Sequence, residues 1–189
     1  RDVLGSRGLG DVYKRQVCEN GNYYNRFYFV HPDGAVQHYD KKHLFTFGGE
    51  HKRFTAGTER VVVNFRGVRI LLEVCYDLRF PVWSRNLGDY DMILYVASWP
   101  TPRVDAWSAL LRARAIENQC YVAGVNRMGV DPACEYSGGS AIIDPYGKTI
   151  AECPWSRESA VSADIDMEAL QAFRKKFPVL DDADPFTLI

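Results

Sequence analysis

Three apolar runs of strand length constrain the fold of this chain more than any other feature. They read VRILLEVC (68–75), DMILYVAS (91–98) and YVAGVN (121–126), and each gap between them holds a helix-like pattern. Runs as apolar as these are typical of strands covered on both faces, as in a parallel sheet. Strands that alternate with helices predict an α/β layered fold, and 189 residues suit a single domain.

Helical and hairpin patterns fill much of the remaining chain. The segment 81–88 opens with a proline, which suits a first helical turn, and 105–119 carries an apolar stripe behind an expected N-cap at Asp105. The segment 166–178 predicts a further amphipathic helix that a proline ends. Two β-hairpins are predicted, at 23–40 and at 140–153.

The charge and cysteine content argue against several classes of function. A net charge of −1 with scattered basic residues gives no electrostatic basis for binding nucleic acid or an anionic membrane. No apolar run reaches the roughly 20 residues that span a bilayer, and the N-terminus lacks a signal-peptide layout, so we expect a cytoplasmic protein. The five cysteines form no C-x-x-C pair, which argues against a zinc site, a disulfide framework or a redox pair. We expect no metal and no cofactor.

The first sixteen residues, RDVLGSRGLGDVYKRQ, differ from the rest of the chain. They show neither strand alternation nor a helical stripe, and their glycines do not follow a strand as a dinucleotide-binding loop requires. The segment resembles a translated library adaptor. We therefore interpret 1–16 as a non-native leader, and 17–189 as part of a domain whose N-terminal portion is missing.

Cys75 ends the first apolar run, and a helical pattern begins about six residues later. A side chain at such a strand-to-helix turn stands at the carboxyl edge of a sheet, where open α/β sheets place their sites. The next backbone amide, that of Tyr76, could then face a developing oxyanion. The residues alone leave two interpretations open: a nucleophilic thiol, or a small residue that closes a core segment.

A charged segment, YDKKHLFTFGGEHKRFTAG (39–57), follows the first predicted hairpin. A lysine that points inward from a strand end can offer a fixed positive charge to an oxyanion, and Glu50 could hold that ammonium or orient a water. A solvated charged loop with a buried His43 is the alternative. A Cys75–His43 dyad of the papain type is also conceivable.

Several motifs occur in a fixed order along the chain: KKHLF, GGEHKRFTAG and VCYDLRFPVWSRN, followed by YVASWP, RARAIENQCYVAGVNR and SGGSAIIDPYGKTIAE. Together they resemble the motifs of the nitrilase (carbon–nitrogen hydrolase) superfamily. The similarity runs from about residue 20 to the C-terminus. CYDLRFPVWSRN and the ending FPVLDDADPF are most similar to the omega-amidase, or 2-oxoglutaramate amidase, branch.

This resemblance implies a Glu–Lys–Cys triad with a second glutamate. Cys75 matches the nucleophile before Y-D-L-R-F-P, and Lys41 matches the oxyanion-stabilising lysine of K-x-H-L, with Lys42 as its variable neighbour. Glu50 matches the second glutamate in G-E-x-x-x-F-x-x-G, and the backbone N–H of Tyr76 would assist at the oxyanion. The substrate-pocket candidates, chosen by residue type, are Arg79, Trp99 and Arg103.

The first glutamate of the triad, the general base, has no match in this chain. Glu19 lies too close to Lys41, in a segment that resembles one well after that base, so we do not assign it. We therefore expect the 189-residue chain to be inactive and its full-length parent to be active.

The fold implied by the resemblance is the four-layer α-β-β-α sandwich of the nitrilase type, incomplete at its N-terminus, and the implied assembly of the full-length protein is a homodimer or larger. The implied reaction is hydrolysis of the terminal carboxamide of a small carboxylate, such as 2-oxoglutaramate to 2-oxoglutarate and ammonia. An ion pair of Arg79 with Asp77 is an alternative to a substrate-binding Arg79. The competing functions are hydrolysis of another amide, a nitrile or an N-carbamoyl compound, and a non-catalytic subunit.

Overall fold

The computed structural model of the chain describes residues 11–187. The strands are β1 (Asp11–Glu19), β2 (Asn22–Val30), β3 (Val36–Asp40), β4 (Val62–Phe65), β5 (Val68–Val74), β6 (Met92–Ala97), β7 (Tyr121–Asn126), β8 (Met128–Val130), β9 (Glu135–Ser137), β10 (Ala141–Ile143) and β11 (Thr149–Glu152). The α-helices are α1 (Pro81–Ser84), α2 (Val104–Glu117) and α3 (Met167–Lys176). Short 3-10 helices lie at Thr46–Gly48, Glu50–Lys52, Cys75–Arg79, Thr101–Arg103 and Val179–Asp182.

Six strands form the central sheet in the order β11-β10-β7-β6-β5-β4. The three apolar runs are β5, β6 and β7, and they pair in parallel, as predicted. The strands at the two sides, β4, β10 and β11, pair antiparallel. The carboxyl ends of β5, β6 and β7 therefore meet at one edge of the sheet, which is where Cys75 stands.

A three-stranded antiparallel sheet, β1-β2-β3, packs on one face of the central sheet, and α2 packs on the other. One core lies between the two sheets and a second lies under α2; β5 contributes alternate side chains to each. Residues 11–187 thus supply the α-β-β layers of the expected sandwich. The largest buried side chains include Phe27, Phe29, Tyr39 and Leu72 in the first core, and Tyr90, Tyr95, Trp107 and Leu111 in the second.

α3 lies at the opposite, amino end of the central sheet. The carboxylate of Asp166 accepts a hydrogen bond of 2.8 Å from the backbone N–H of Ala169 and so caps the helix. Near the other end of the helix, Arg174 donates to Asp91, which immediately precedes β6, at 2.8 Å. The helix is therefore anchored far from the edge that carries Cys75, because β6 alone spans about 20 Å.

β1 is an element that the sequence pattern does not predict. From Asp11 onward the interpreted leader pairs antiparallel with β2, although residues 1–16 show neither strand alternation nor a helical stripe. β1 is an edge strand whose described side chains are mostly exposed, and such a strand shows no apolar alternation. The missed signal is Asn20–Gly21, whose φ values of 51° and 78° build the two-residue turn into β2. Residues 1–10 lie outside the described residues, and the non-native origin of 1–16 stays a prediction.

Two predicted helix boundaries are also wrong. α1 begins at Pro81 as expected but ends at Ser84, because Arg85 leaves the helical conformation with a ψ of 128°. α2 begins one residue before Asp105, which therefore lies in the first turn and not at the N-cap. Arg103 occupies the N-cap position and makes no side-chain capping bond, because a 3-10 helix leads directly into α2.

Candidate active site

Cys75 stands where β5 ends and a 3-10 helix begins. Its φ is +50°, in the left-handed region that non-glycine residues rarely adopt. The thiol is half-buried, and its Sγ lies 3.8 Å from the carbonyl oxygen of Ser98, just after β6. Strained backbone at a strand-to-helix turn aims a side chain out of the sheet edge, as it does for nucleophilic serines.

Lys41 follows β3 and is almost completely buried, with 1% of its side chain exposed. Its Nζ donates a hydrogen bond of 2.6 Å to Oε2 of Glu50, and that oxygen also accepts one of 2.8 Å from the backbone N–H of Phe45. The Lys41 backbone is fixed on both sides, because its N–H donates to Asn25 and its carbonyl accepts from Gly57. The arrangement holds one ammonium group in a fixed position inside the protein.

Tyr76 brings the lysine segment and the cysteine turn together. Its ring centroid lies 6.0 Å from the Nζ of Lys41, and Phe45 packs on the same ring at a centroid distance of 5.0 Å. Because Tyr76 directly follows Cys75, its backbone N–H lies next to the residue that carries the thiol. The Lys41–Glu50 pair and Cys75 thus border one region, although Lys41 follows a strand of the three-stranded sheet and Cys75 follows a strand of the six-stranded sheet.

The three substrate-pocket candidates also lie together. The guanidinium of Arg79 lies over the ring of Trp99, 5.1 Å from its centroid, and Nε1 of Trp99 donates a 2.6 Å hydrogen bond to the carbonyl of Arg103. The guanidinium of Arg103 lies 5.4 Å from the ring centroid of Phe45, the residue that packs on Tyr76. Neither arginine forms an ion pair with any residue that the structure describes.

Asp77 and His43 form a pair that the sequence does not predict. Asp77 is completely buried and accepts a hydrogen bond of 2.8 Å from Nδ1 of His43. The imidazole stacks on Phe80 at a centroid distance of 3.8 Å, and within residues 11–187 no hydrogen bond joins it to the thiol of Cys75. The conceivable Cys75–His43 dyad is therefore not formed. The alternative ion pair of Asp77 with Arg79 is wrong as well, because His43 is the partner.

Glu19 is engaged elsewhere. Arg26 donates to its carboxylate at 2.7 Å and also binds Asp40 through two hydrogen bonds of 2.7 and 2.9 Å. The hydrogen bond and charge of Arg26 lower the pKa of the Glu19 carboxyl below its ordinary value. An ionised surface partner of an arginine does not suit proton transfer at Cys75, which agrees with leaving Glu19 unassigned.

A second buried carboxyl, Glu73, lies beneath the cysteine turn on β5. Ser84 Oγ donates a 2.9 Å hydrogen bond to Glu73 Oε2 and lies 3.2 Å from the hydroxyl of Tyr95. Burial, with the charge of Asp77, raises the pKa of Glu73 to about 8. Its Oε1 has no hydrogen-bond partner among the described residues. This raised pKa favours the neutral carboxylic acid form of Glu73 near pH 7.

We expect Glu73→Gln to change how stability depends on pH. The folded-state pKa of about 8 lies above the ordinary 4.5, so the folded chain holds a proton that the unfolded chain has released. The free energy of unfolding should fall as pH rises from about 5 to 8 in the parent but not in the variant, which cannot ionise. At pH 8 the variant should be more stable by an amount on the order of 3 kcal/mol, and near pH 5 the two should be similar.

Urea unfolding at pH 5 and pH 8 measures this difference. The matched control is Glu135→Gln, which neutralises an exposed carboxyl on β9 and should leave the pH dependence unchanged. An equal stability difference between parent and Glu73→Gln at both pH values would contradict a buried neutral acid.

Two kinds of feature do not occur in the part of the chain that the structure describes. No group of three or more His, Cys, Asp or Glu side chains there could hold a metal ion. None of the helices in the same part is long and apolar enough to cross a bilayer.

Comparison with known proteins identifies the family to which this chain belongs. The sequence model of the family described as "Carbon-nitrogen hydrolase" matches residues 7–175. The omega-amidase YafV of Escherichia coli K12 is 55% identical over 165 residues, which are 87% of this chain and 64% of that protein. The 2-oxoglutaramate amidase of Bacillus subtilis is 40% identical over 169 residues, which are 88% of this chain and 65% of that protein.

A solved structure gives the same result for the fold. The protein XC1258 from Xanthomonas campestris, described as a CN-hydrolase superfamily protein with an arsenic adduct in its active site, superposes with a TM-score of 0.93. It is 46% identical, and the match covers 96% of this chain and 71% of that one. The chain spans a little under two thirds of the length of the curated relatives that it matches.

Proposed function

Because this chain belongs to the carbon–nitrogen hydrolase family, we propose that it carries the nucleophile and the oxyanion-stabilising lysine of an omega-amidase. One observation carries the proposal: a buried ammonium, that of Lys41, borders the ring of Tyr76, the residue that follows the strained Cys75. The named relatives in Escherichia coli and Bacillus subtilis favour the terminal amide of a small carboxylate, such as 2-oxoglutaramate.

The proposed reaction proceeds through a thioester. The thiolate of Cys75 attacks the amide carbon, and the ammonium of Lys41 with the backbone N–H of Tyr76 stabilises the negative oxygen that results. The carbon–nitrogen bond then breaks, and ammonia leaves after it receives a proton from a general acid. Water attacks the thioester, gives up a proton to the same group acting as base, and releases the carboxylate and the thiol. Glu50 holds the lysine in place throughout.

Charge around the thiol supports a substrate that carries its own carboxylate. Arg79 and Arg103 lie on aromatic faces without an acidic partner among the described residues, whereas Arg26, Arg69 and Arg174 are all neutralised by ion pairs. A guanidinium with its donors unused can bind a carboxylate through two hydrogen bonds. We propose that these two arginines, with Trp99 as a wall, receive the end of the substrate distant from the amide.

We further propose that the general base is a glutamate that these 189 residues do not contain. Glu19 lies too close to Lys41 in sequence and is bound to Arg26, and Glu50 is occupied by Lys41. The full-length protein is proposed to be a cytoplasmic homodimer or larger that acts on a small molecule and not on nucleic acid or membranes. Loss of one member of a catalytic unit removes about 10³-fold of the rate or more.

Ammonia release tests both proposals. We expect the complete reading frame to release ammonia from 2-oxoglutaramate faster than from glutamine or a nitrile, and the 189-residue chain to be at least about 10³-fold slower. Robust turnover by the 189-residue chain would contradict the missing base. Turnover of the nitrile alone would replace the proposed substrate.

Alkylation by iodoacetamide, read by peptide mass spectrometry, separates an enzyme from a non-catalytic subunit. Cys75 should react at least as fast as the exposed Cys18, although it is half-buried, because the proposed function requires a nucleophilic thiol at this position. Cys120 serves as the slow reference, since burial raises the pKa of its thiol well above the ordinary value. A Cys75 that reacts as slowly as Cys120 would indicate a subunit with an inert thiol.

A further inference from the structure

Asp77 uses the full hydrogen-bonding capacity of its carboxylate. Oδ1 accepts from the backbone N–H and from Nδ1 of His43, both at 2.8 Å. Oδ2 accepts from the hydroxyl of Tyr39 at 2.8 Å and from the backbone N–H of Val74 at 3.0 Å. A carboxylate offers about four acceptor positions, so each position is filled.

Two of these bonds act on the lysine segment. Tyr39 and His43 lie on either side of Lys41, two residues before it and two after it. The Tyr39 hydroxyl also accepts hydrogen bonds from the backbone N–H of Lys42 and from Nε1 of Trp83, each at 3.1 Å. Both ends of the segment that carries the ammonium are thereby attached to a single buried carboxylate.

Another bond acts on the cysteine turn. The Asp77 carboxylate accepts a hydrogen bond from the backbone N–H of Val74. This bond closes a short loop of chain from Val74 to Asp77, and the strained Cys75 lies inside that loop. The φ of +50° at Cys75 persists only if the surroundings enforce it, because the left-handed conformation is unfavourable for a residue with a Cβ atom. The bond to Val74 provides that constraint.

We propose that Asp77 is a positioning residue, which holds Cys75 in its strained conformation and fixes the Lys41 segment against it. The inference rests on the proposed function, since it assumes that Cys75 and Lys41 act together. Asp77 need not touch the substrate for this role. Asparagine cannot replace it, because its single carbonyl oxygen would have to serve three N–H donors and a hydroxyl.

The test compares two buried aspartates in the 189-residue chain. We expect Asp77→Asn to slow alkylation of Cys75 by at least about tenfold when rates are compared at equal folded fraction. The matched control is Asp91→Asn, because Asp91 is also buried and accepts bonds from Arg69 and Arg174, but lies at the amino end of the sheet. That variant should lose stability and keep the alkylation rate within about twofold.

Two more measurements separate a positioning role of Asp77 from a purely structural one. Tyr39→Phe removes only one link to the lysine segment and should give an intermediate rate. In the complete reading frame, Asp77→Asn should lower kcat for ammonia release and leave KM nearly unchanged. If Asp77→Asn matched Asp91→Asn, or accelerated alkylation, Asp77 would be structural only. If the parent released no ammonia yet alkylation still depended on Asp77, the proposed substrate would fail and the positioning role would stand.

Discussion

Replacing Lys41 by methionine is expected to lower ammonia release by the complete reading frame by about 10³-fold. Methionine keeps most of the buried stem and removes the charge, so the loss would measure the ammonium itself. In the 189-residue chain the same change should slow alkylation of Cys75. It should also cost about 2 kcal/mol of stability, because Glu50 loses its cation but remains partly solvated and hydrogen-bonded to Phe45.

Lys42→Met is the matched control for this prediction. Lys42 is the adjacent lysine, and its Nζ lies 5.1 Å from the ring centroid of Trp83, away from Glu50. We expect its loss to change ammonia release by less than about tenfold, which corresponds to about 1.4 kcal/mol. A larger effect at Lys42 than at Lys41 would exchange the roles of the two lysines.

Gly57→Ala is expected to destabilise the chain by about 3 kcal/mol or more, with a fall in Tm of about 10 °C. A methyl group at Gly57 would overlap the backbone carbonyl oxygen of Asp40 and lie 2.7 Å from the carbonyl carbon. Backbone cannot yield as a side chain can, so the end of β3 would have to move. Because Gly57 donates to the carbonyl of Lys41, the same shift would displace the ammonium.

The adjacent change Ala56→Ser provides the control, since Ala56 is exposed and should tolerate a hydroxyl. A thermal melt compares the variants, and alkylation of Cys75 at a temperature where both are folded reports on the site. A Gly57→Ala chain with an unchanged Tm would mean that β3 and the following loop can separate freely. The close approach of Gly57 to the backbone of Asp40 also explains why a glycine ends the motif GGEHKRFTAG.

Local signals predict much of this fold. The apolar runs that become β5, β6 and β7 are continuous because both faces of the central sheet are covered. α3 carries its own cap and a closing proline, so its extent is close to the predicted one. β1 could not be predicted, because an edge strand with exposed side chains lacks the alternation of apolar and polar residues. The short α1 escapes because its end depends on tertiary contacts of the following loop, such as those of Asn86 with Asn118.

The candidate site is predictable only in part, for a related reason. Cys75, Lys41 and Glu50 lie in recognisable motifs, and the chain brings their segments together. Asp77 lies in the same motif as Cys75, yet its partners Tyr39 and His43 are 38 and 34 residues away in sequence. Hydrogen bonds over such separations leave no local periodicity. The stacking of the arginines on aromatic rings is a tertiary arrangement of the same kind.

Cys75 and Lys41, the proposed nucleophile and oxyanion-stabilising residue, follow strands of different sheets, so their relative position depends on how the two sheets pack together. Lys41 directly follows β3 of the three-stranded sheet, and Cys75 directly follows β5 of the six-stranded sheet. The two meet only while the core around Phe27 and Leu72 stays packed. Substitutions in that core are therefore expected to change the distance between Cys75 and Lys41, and with it the proposed activity, by shifting one sheet relative to the other. Thiol reactivity would report such a slide before any loss of secondary structure.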